Sequence, residues 1–200
     1  MTIDESQPQG LTERLKLIED MMMEGRRGTE KWAWSFLLWG VAYYVAIAWS
    51  NWGRASLAWP VTMISAAVVT GVVAARLKHS HPATTIGRAM RALWSVTGTA
   101  LFVLLMGLSI SGRYETHTFV AIVGAMLAVA NGASGMILRW KMQMACALVW
   151  LGTGLAACFV SESEAGMLFL GAIFFCQIVF GFYGMVMESR RRGQRGAVHA

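Results

Sequence analysis

"TFVAIVGAMLAVANGASGMIL", residues 118–138, is the stretch whose reading decides the fold. It contains no Asp, Glu, Lys or Arg. As a helix it is long enough to cross a hydrocarbon core about 30 Å thick. It cannot be a barrel strand, which would alternate apolar and polar residues over about ten positions. Five further stretches share its character, at about 32–50, 55–75, 92–111, 142–160 and 165–187. The chain has 200 residues, 56% hydrophobic and 14% charged, which is too apolar for an ordinary soluble domain of this size. The fold expected is all-α, a polytopic bundle of six transmembrane helices preceded by an amphipathic cytoplasmic helix. Residues 1–31 are polar and are not a cleavable signal, and the first apolar run already spans.

Charge sets the expected orientation. Of the 17 Lys and Arg residues, all but Arg54 and Arg113 fall on the side that carries the N-terminus. Positive charge marks the cytoplasmic side, so both termini are expected there, which an even number of spans requires. Trp32, Trp34, Trp94 and Trp140 stand at inner helix ends, and Trp49, Trp52 and Trp59 at outer ones, where amphipathic rings favour the headgroups. The net charge of +6 therefore needs no nucleic acid. A basic tail over 189–200 holds the last helix end against anionic lipid, at about 1 kcal/mol per near-surface charge. Cys146, Cys158 and Cys176 lie in the fifth and sixth spans without CxxC spacing and read as buried structural thiols.

The divisions expected are a disordered 1–10, an amphipathic helix over 11–28 and a membrane domain over 29–188, followed by the tail. Leu11, Leu15, Ile18 and Met22 recur at helical spacing among charged residues, with Thr12 as N-cap and Gly25 and Gly28 as the stop. This row is a candidate association seam for a homo-oligomer or a partner helix. The alternative is that it rests on lipid or on the loops. Its mixed charge is unlike a purely lipid-seeking helix.

Gly132-Ala133-Ser134-Gly135 is a GxSG, and with "NWGR" at Asn51–Arg54 the chain resembles the rhomboid family of intramembrane serine proteases. That resemblance implies a Ser134 nucleophile with a His base on the sixth span. The sixth span has no His, and the one outer His, His117, is assigned to a loop. Ser134 also lies 16 residues past Thr118, about 24 Å inward, where that family's serine is near the outer end. The protease reading is set aside, and no catalytic residue, cofactor or metal is assigned. No His stands within a span to ligate haem. His79-x-His81 lacks further ligands and reads as a solvated loop. Met is abundant, at 14 residues, and reads first as a packing residue rather than a copper ligand.

The helix interiors carry no charged side chain, which disfavours ion-coupled transport. On the fourth span Ala121, Gly124, Ala128, Asn131, Gly132 and Gly135 share one face, a small-residue stripe that lets a neighbouring backbone approach. On the sixth, Gln177 shares a face with Gly166, Gly181 and Gly184. Asn131 and Gln177 match in depth, so they are expected to meet or share one polar layer, with Ser134 at its edge, as structural glue or as the lining of a small cavity. "TEKWAWSFLLWGVAYYVA", residues 29–46, resembles the opening of small uncharacterised six-helix proteins of bacterial inner membranes. That resemblance implies an inner-membrane location and no particular activity. The function expected is a non-enzymatic membrane protein acting by association; the alternative is a passive transporter or channel for a small neutral or hydrophobic solute.

Overall fold

The computed structural model describes residues 6–52, 55–77, 85–111 and 115–198. The described residues are helical apart from short turns. They form α1 (Ser6–Lys31), α2 (Ala33–Trp52), α3 (Ala55–Leu77), α4 (Thr85–Ile110), α5 (Thr116–Ile137), α6 (Lys141–Ala157), α7 (Glu162–Ile173) and α8 (Phe180–Val198), with a π-helical turn, Phe174–Val179, joining α7 to α8. Five helical paths are long and apolar enough to cross a membrane: Glu13–Trp52, Leu57–Arg76, Thr85–Leu108, Thr116–Ile137 and Glu162–Arg191.

The fifth expected span is the exception. Its helix has 17 residues and ends at Ala157, not near residue 160. The end tightens there: Cys158 and Phe159 donate to the carbonyls of Leu155 and Ala156, three residues back. Two other boundaries move. α1 does not stop at Gly25 or Gly28 but runs on to Lys31, because Gly25 is a contact point: a Cβ there would meet Ile86 and Leu138 at 2.7 and 2.8 Å. Helix begins by Ser6, within the stretch expected to be disordered, and the last helix continues to Val198 through most of the expected tail. Residues 1–5, His79, His81, His199, Arg54 and Arg113 lie outside the described residues.

α5 is the centre of the bundle. Half of its length is buried, against 11% for Leu57–Arg76 and 17% for Thr85–Leu108, so α3 and α4 are peripheral. The small-residue stripe of α5 lies against α6. A Cβ on Gly124 would stand 2.8 Å from the Cα of Gly154 and 2.9 Å from the Trp150 carbonyl; one on Gly135 would stand 2.9 Å from the Met144 nitrogen. The turn between these helices is tight. Trp140 N–H donates to the Gly135 carbonyl at 2.8 Å and Arg139 N–H to Met136 at 3.3 Å, with Arg139 left-handed at φ 47°. So short a reversal fixes α5 and α6 antiparallel, with Gly135 opposite Met144, Gly132 opposite Ala147 and Gly124 opposite Gly154. A second close crossing joins α2 to α8, where Gly181 faces the Leu37 nitrogen at 2.9 Å and Gly184 faces the Ala33 Cβ.

Gly124→Val places a branched side chain against backbone that has no freedom to move aside. It is expected to destabilise the fold by about 1–3 kcal/mol. Gly71→Val, where nothing lies within 4 Å of the added Cβ, leaves stability unchanged. Thermal unfolding in detergent compares the two; equal melting temperatures would remove the α5–α6 contact as the centre of the fold.

Candidate functional site

Two aromatic clusters cross the bundle interior. One lies toward the end where α1 and α8 meet: Phe36 packs edge-on to Trp94 (5.3 Å) and to Phe180 (5.1 Å), and Phe180 packs on Trp140 (5.1 Å). The other lies toward the opposite end. There Tyr43 contacts Trp59 and Phe169, Phe119 contacts both of those rings, and Trp150 packs on Phe169. Each element passing from one cluster to the other carries a small or polar residue between them. These are Gly40 on α2, Asn131 on α5, Gln143 and Cys146 on α6, and Cys176 and Gln177 on the π turn.

The carboxamides in this layer are almost wholly enclosed, at 2% exposure for Asn131, 0% for Gln143 and 6% for Gln177. Asn131 Nδ2 donates to the Leu127 carbonyl, one helical turn back, at 2.8 Å. Among the described residues, its Oδ1, both amide atoms of Gln143, Gln177 Oε1 and Trp150 Nε1 have no hydrogen-bond partner. Asn131 and Gln177 do not bond to each other, the first of the two arrangements expected of them. Gln177 lies against α2 on the face it shares with Gly181 and Gly184: its Cβ is 2.8 Å from where a Cβ on Gly40 would stand, while those glycines meet Leu37 and Ala33. Their depths nevertheless correspond. Asn131 adjoins Gly132, which faces Ala147, and Cys176 Sγ donates to the Cys146 carbonyl at 3.7 Å.

Ser134 is fully buried and accepts a hydrogen bond from Trp94 Nε1 at 3.2 Å, tying α4 to α5. His117 is in the first turn of α5, not a loop, and its Nε2 is 2.7 Å from the Val160 carbonyl. The indoles also depart from expectation. Trp52 is fully exposed as an interfacial anchor should be, but Trp140 is buried and Trp94 and Trp59 turn into the clusters. Cys158 is exposed, while Cys146 and Cys176 are buried. Gln143 is the residue missed from sequence. Beside Lys141 it reads as a polar helix end, yet Gly135 draws the first turn of α6 onto α5 and encloses it. The pairing that a three-residue turn imposes was the available signal.

The other distinctive region is where α1 meets the bundle. Arg26 stands over the Trp140 ring at 5.3 Å, and Glu30, 3% exposed, pairs with Arg191 at 2.8 Å. Burial pushes the Glu30 carboxyl above the usual carboxylate range; Arg191, Arg26 and Arg27 pull it back, and Glu188 pushes the same way as burial. N-terminal to this clamp the helix is bare. Residues 13–20 are exposed on every side, with Leu15 at 56% and Ile18 at 43%, and Met22 is half-buried. Leu11 is helical, but its side chain lies outside the described residues. The row Leu15–Ile18–Met22 is in helical line with Gly25, so it is the bundle-facing side of α1 carried beyond the end of the bundle.

The chain matches no family model, no curated protein and no solved structure.

A carboxyl raised by folding favours the protonated form in the docked state. Docking of α1 is therefore strongest below the ordinary carboxylate range and weakens as pH rises through the raised value. Hydrogen exchange of α1 from pH 4 to 8 measures this, with faster opening expected at the upper end. Glu30→Gln flattens the profile; a profile unchanged by that substitution would remove Glu30 as the titrating group.

Proposed function

We propose that the protein is a six-span integral membrane protein of a bacterial inner membrane, with both termini cytoplasmic, that acts by association rather than catalysis. Its contact element is α1. The observation that carries this reading is the mismatch along one face of that helix. From Gly25 to Glu30 the helix is fixed to the bundle by Ile86, Leu138, Arg191 and the Arg26–Trp140 contact. Two turns earlier the same face presents Leu15 and Ile18 with nothing over them. A helix held rigidly at one end loses little further freedom on binding, and an apolar row at helical spacing is what a partner helix packs against. The partner, another protein or a second copy of this chain, would sit beneath the bundle end. The charge asymmetry of the sequence supports the sidedness, and the short α6 is still long enough to serve as the sixth span in a tilted or locally thinned bilayer.

A second reading, passage or retention of a small neutral solute, is favoured by the unpartnered carboxamide atoms of Asn131, Gln143 and Gln177. The aromatic clusters on either side of that layer fill the interior and support the association reading.

Leu15→Glu with Ile18→Glu is expected to abolish complexes captured by cross-linking in native membranes, while circular dichroism stays that of the wild type. Complexes that survive the double substitution would sink the association reading. In the solute reading, Asn131→Cys reacts with a water-soluble maleimide in sealed vesicles; in the association reading it is at least tenfold slower than the exposed Cys158.

A further inference from the structure

We propose that Cys146 and Cys176 form a two-sulfur site for a soft monovalent cation, of which cuprous ion is the fitting example. The inference stands apart from the association reading. Thirty residues separate the two thiols in sequence. α6 and the π turn bring them together: Cys176 Sγ donates to the Cys146 carbonyl at 3.7 Å, so the two residues are in direct contact. Both are buried, at 6% and 2% exposure.

The surroundings select the class of ion. Among the described residues no three His, Cys, Asp or Glu side chains gather, so zinc would lack the four-ligand shell its structural sites use. Two sulfurs satisfy a soft ion that accepts few ligands. Met142 lies one turn before Cys146 on the same face of α6 and is 39% exposed, and Met185 on α8 is exposed at the same end. Gln143, three residues before Cys146, holds an amide donor with no partner, and Gln177 follows Cys176 directly.

The chemistry balances without a redox step. Two S–H bonds are replaced by two S–Cu bonds, two protons leave to water, and copper remains monovalent. The resulting S–Cu–S unit carries one negative charge, toward which the Gln143 amide can donate. That gives a buried amide otherwise without a partner a charge-assisted hydrogen bond.

The test uses the whole chain in nanodiscs, reduced with a phosphine and titrated with cuprous ion against a chromophoric chelator. One ion per chain is expected, retained on desalting, with affinity rising about a hundredfold per pH unit below the thiol titration range because two protons are released. Cys146→Ser and Cys176→Ser each lower affinity at least tenfold, and Cys158→Ser does not. Because either substitution in the core could unfold the bundle, a second measurement uses the unaltered chain. Bound cuprous ion shields Cys146 and Cys176 from a membrane-permeant maleimide and leaves Cys158 labelled. Binding that survives loss of either buried thiol, or labelling of all three cysteines unchanged by the ion, would overturn the proposal.

Discussion

The contact on which the rest of the structure depends is backbone against backbone, at Gly124 and Gly154. In the bilayer proposed for this chain the hydrophobic effect would not draw helices together, since lipid tails are as apolar as side chains. What remains is close packing, and its strength falls steeply with distance. A Cβ on Gly124 would lie 2.8 Å from the Gly154 Cα, so the two helices meet at a separation that only glycine permits. The three-residue reversal at Leu138–Trp140 then leaves α6 no register but the one that pairs Gly135 with Met144. Everything deeper in the bundle inherits that register, including the burial of Gln143, the height of Cys146 and the position of Trp150 against Phe169.

The layer between the aromatic clusters follows from this register together with the π turn. Within the wider turn over Phe174–Val179 the Cys176 thiol meets α6 and Gln177 lies against Gly40 of α2. π turns inside helices cost regular hydrogen bonding and cluster at functional positions. Here the turn places a thiol and a carboxamide inside the bundle, where each polar atom left without a partner carries a desolvation cost. Apolar side chains of similar size would pack there without that cost. The polar layer is therefore hard to account for by stability alone.

Much of the architecture was legible in the sequence because it rests on composition and length. Charge-free runs gave the apolar helices, and the spacing of Gly124, Ala128, Gly132 and Gly135 gave the face that meets a neighbour. What could not be read depends on departures from ideal geometry or on pairing between distant segments. The π turn has no signature in periodicity, although Gln177 keeps the face it was expected to share with Gly181 and Gly184. The contact of Gly25 with Ile86 and Leu138 joins residues far apart in sequence, so a packing glycine looked like a helix stop. The inward turn of Trp140 and Trp94 was hidden by the general preference of indoles for the interface. Gln143 was missed for the same kind of reason: its place two residues after Lys141 reads as an exposed helix end, while the close approach at Gly135 encloses it.

The two ends of α1 carry opposite meanings. Its C-terminal turns are fixed by groups that depend on charge, with Glu30 against Arg191 and Arg26 against Trp140. Its N-terminal turns carry an apolar row that depends on contact. Trp140 links the first of these to the interior, because the ring that receives Arg26 also packs on Phe180, which packs on Phe36. Any shift of α1 that moved Arg26 would therefore act on the aromatic cluster covering the polar layer. Packed aromatic clusters have few alternative arrangements, so such a shift would be felt as a step rather than a gradual change. The contact helix and the buried layer are in this way joined through one indole ring.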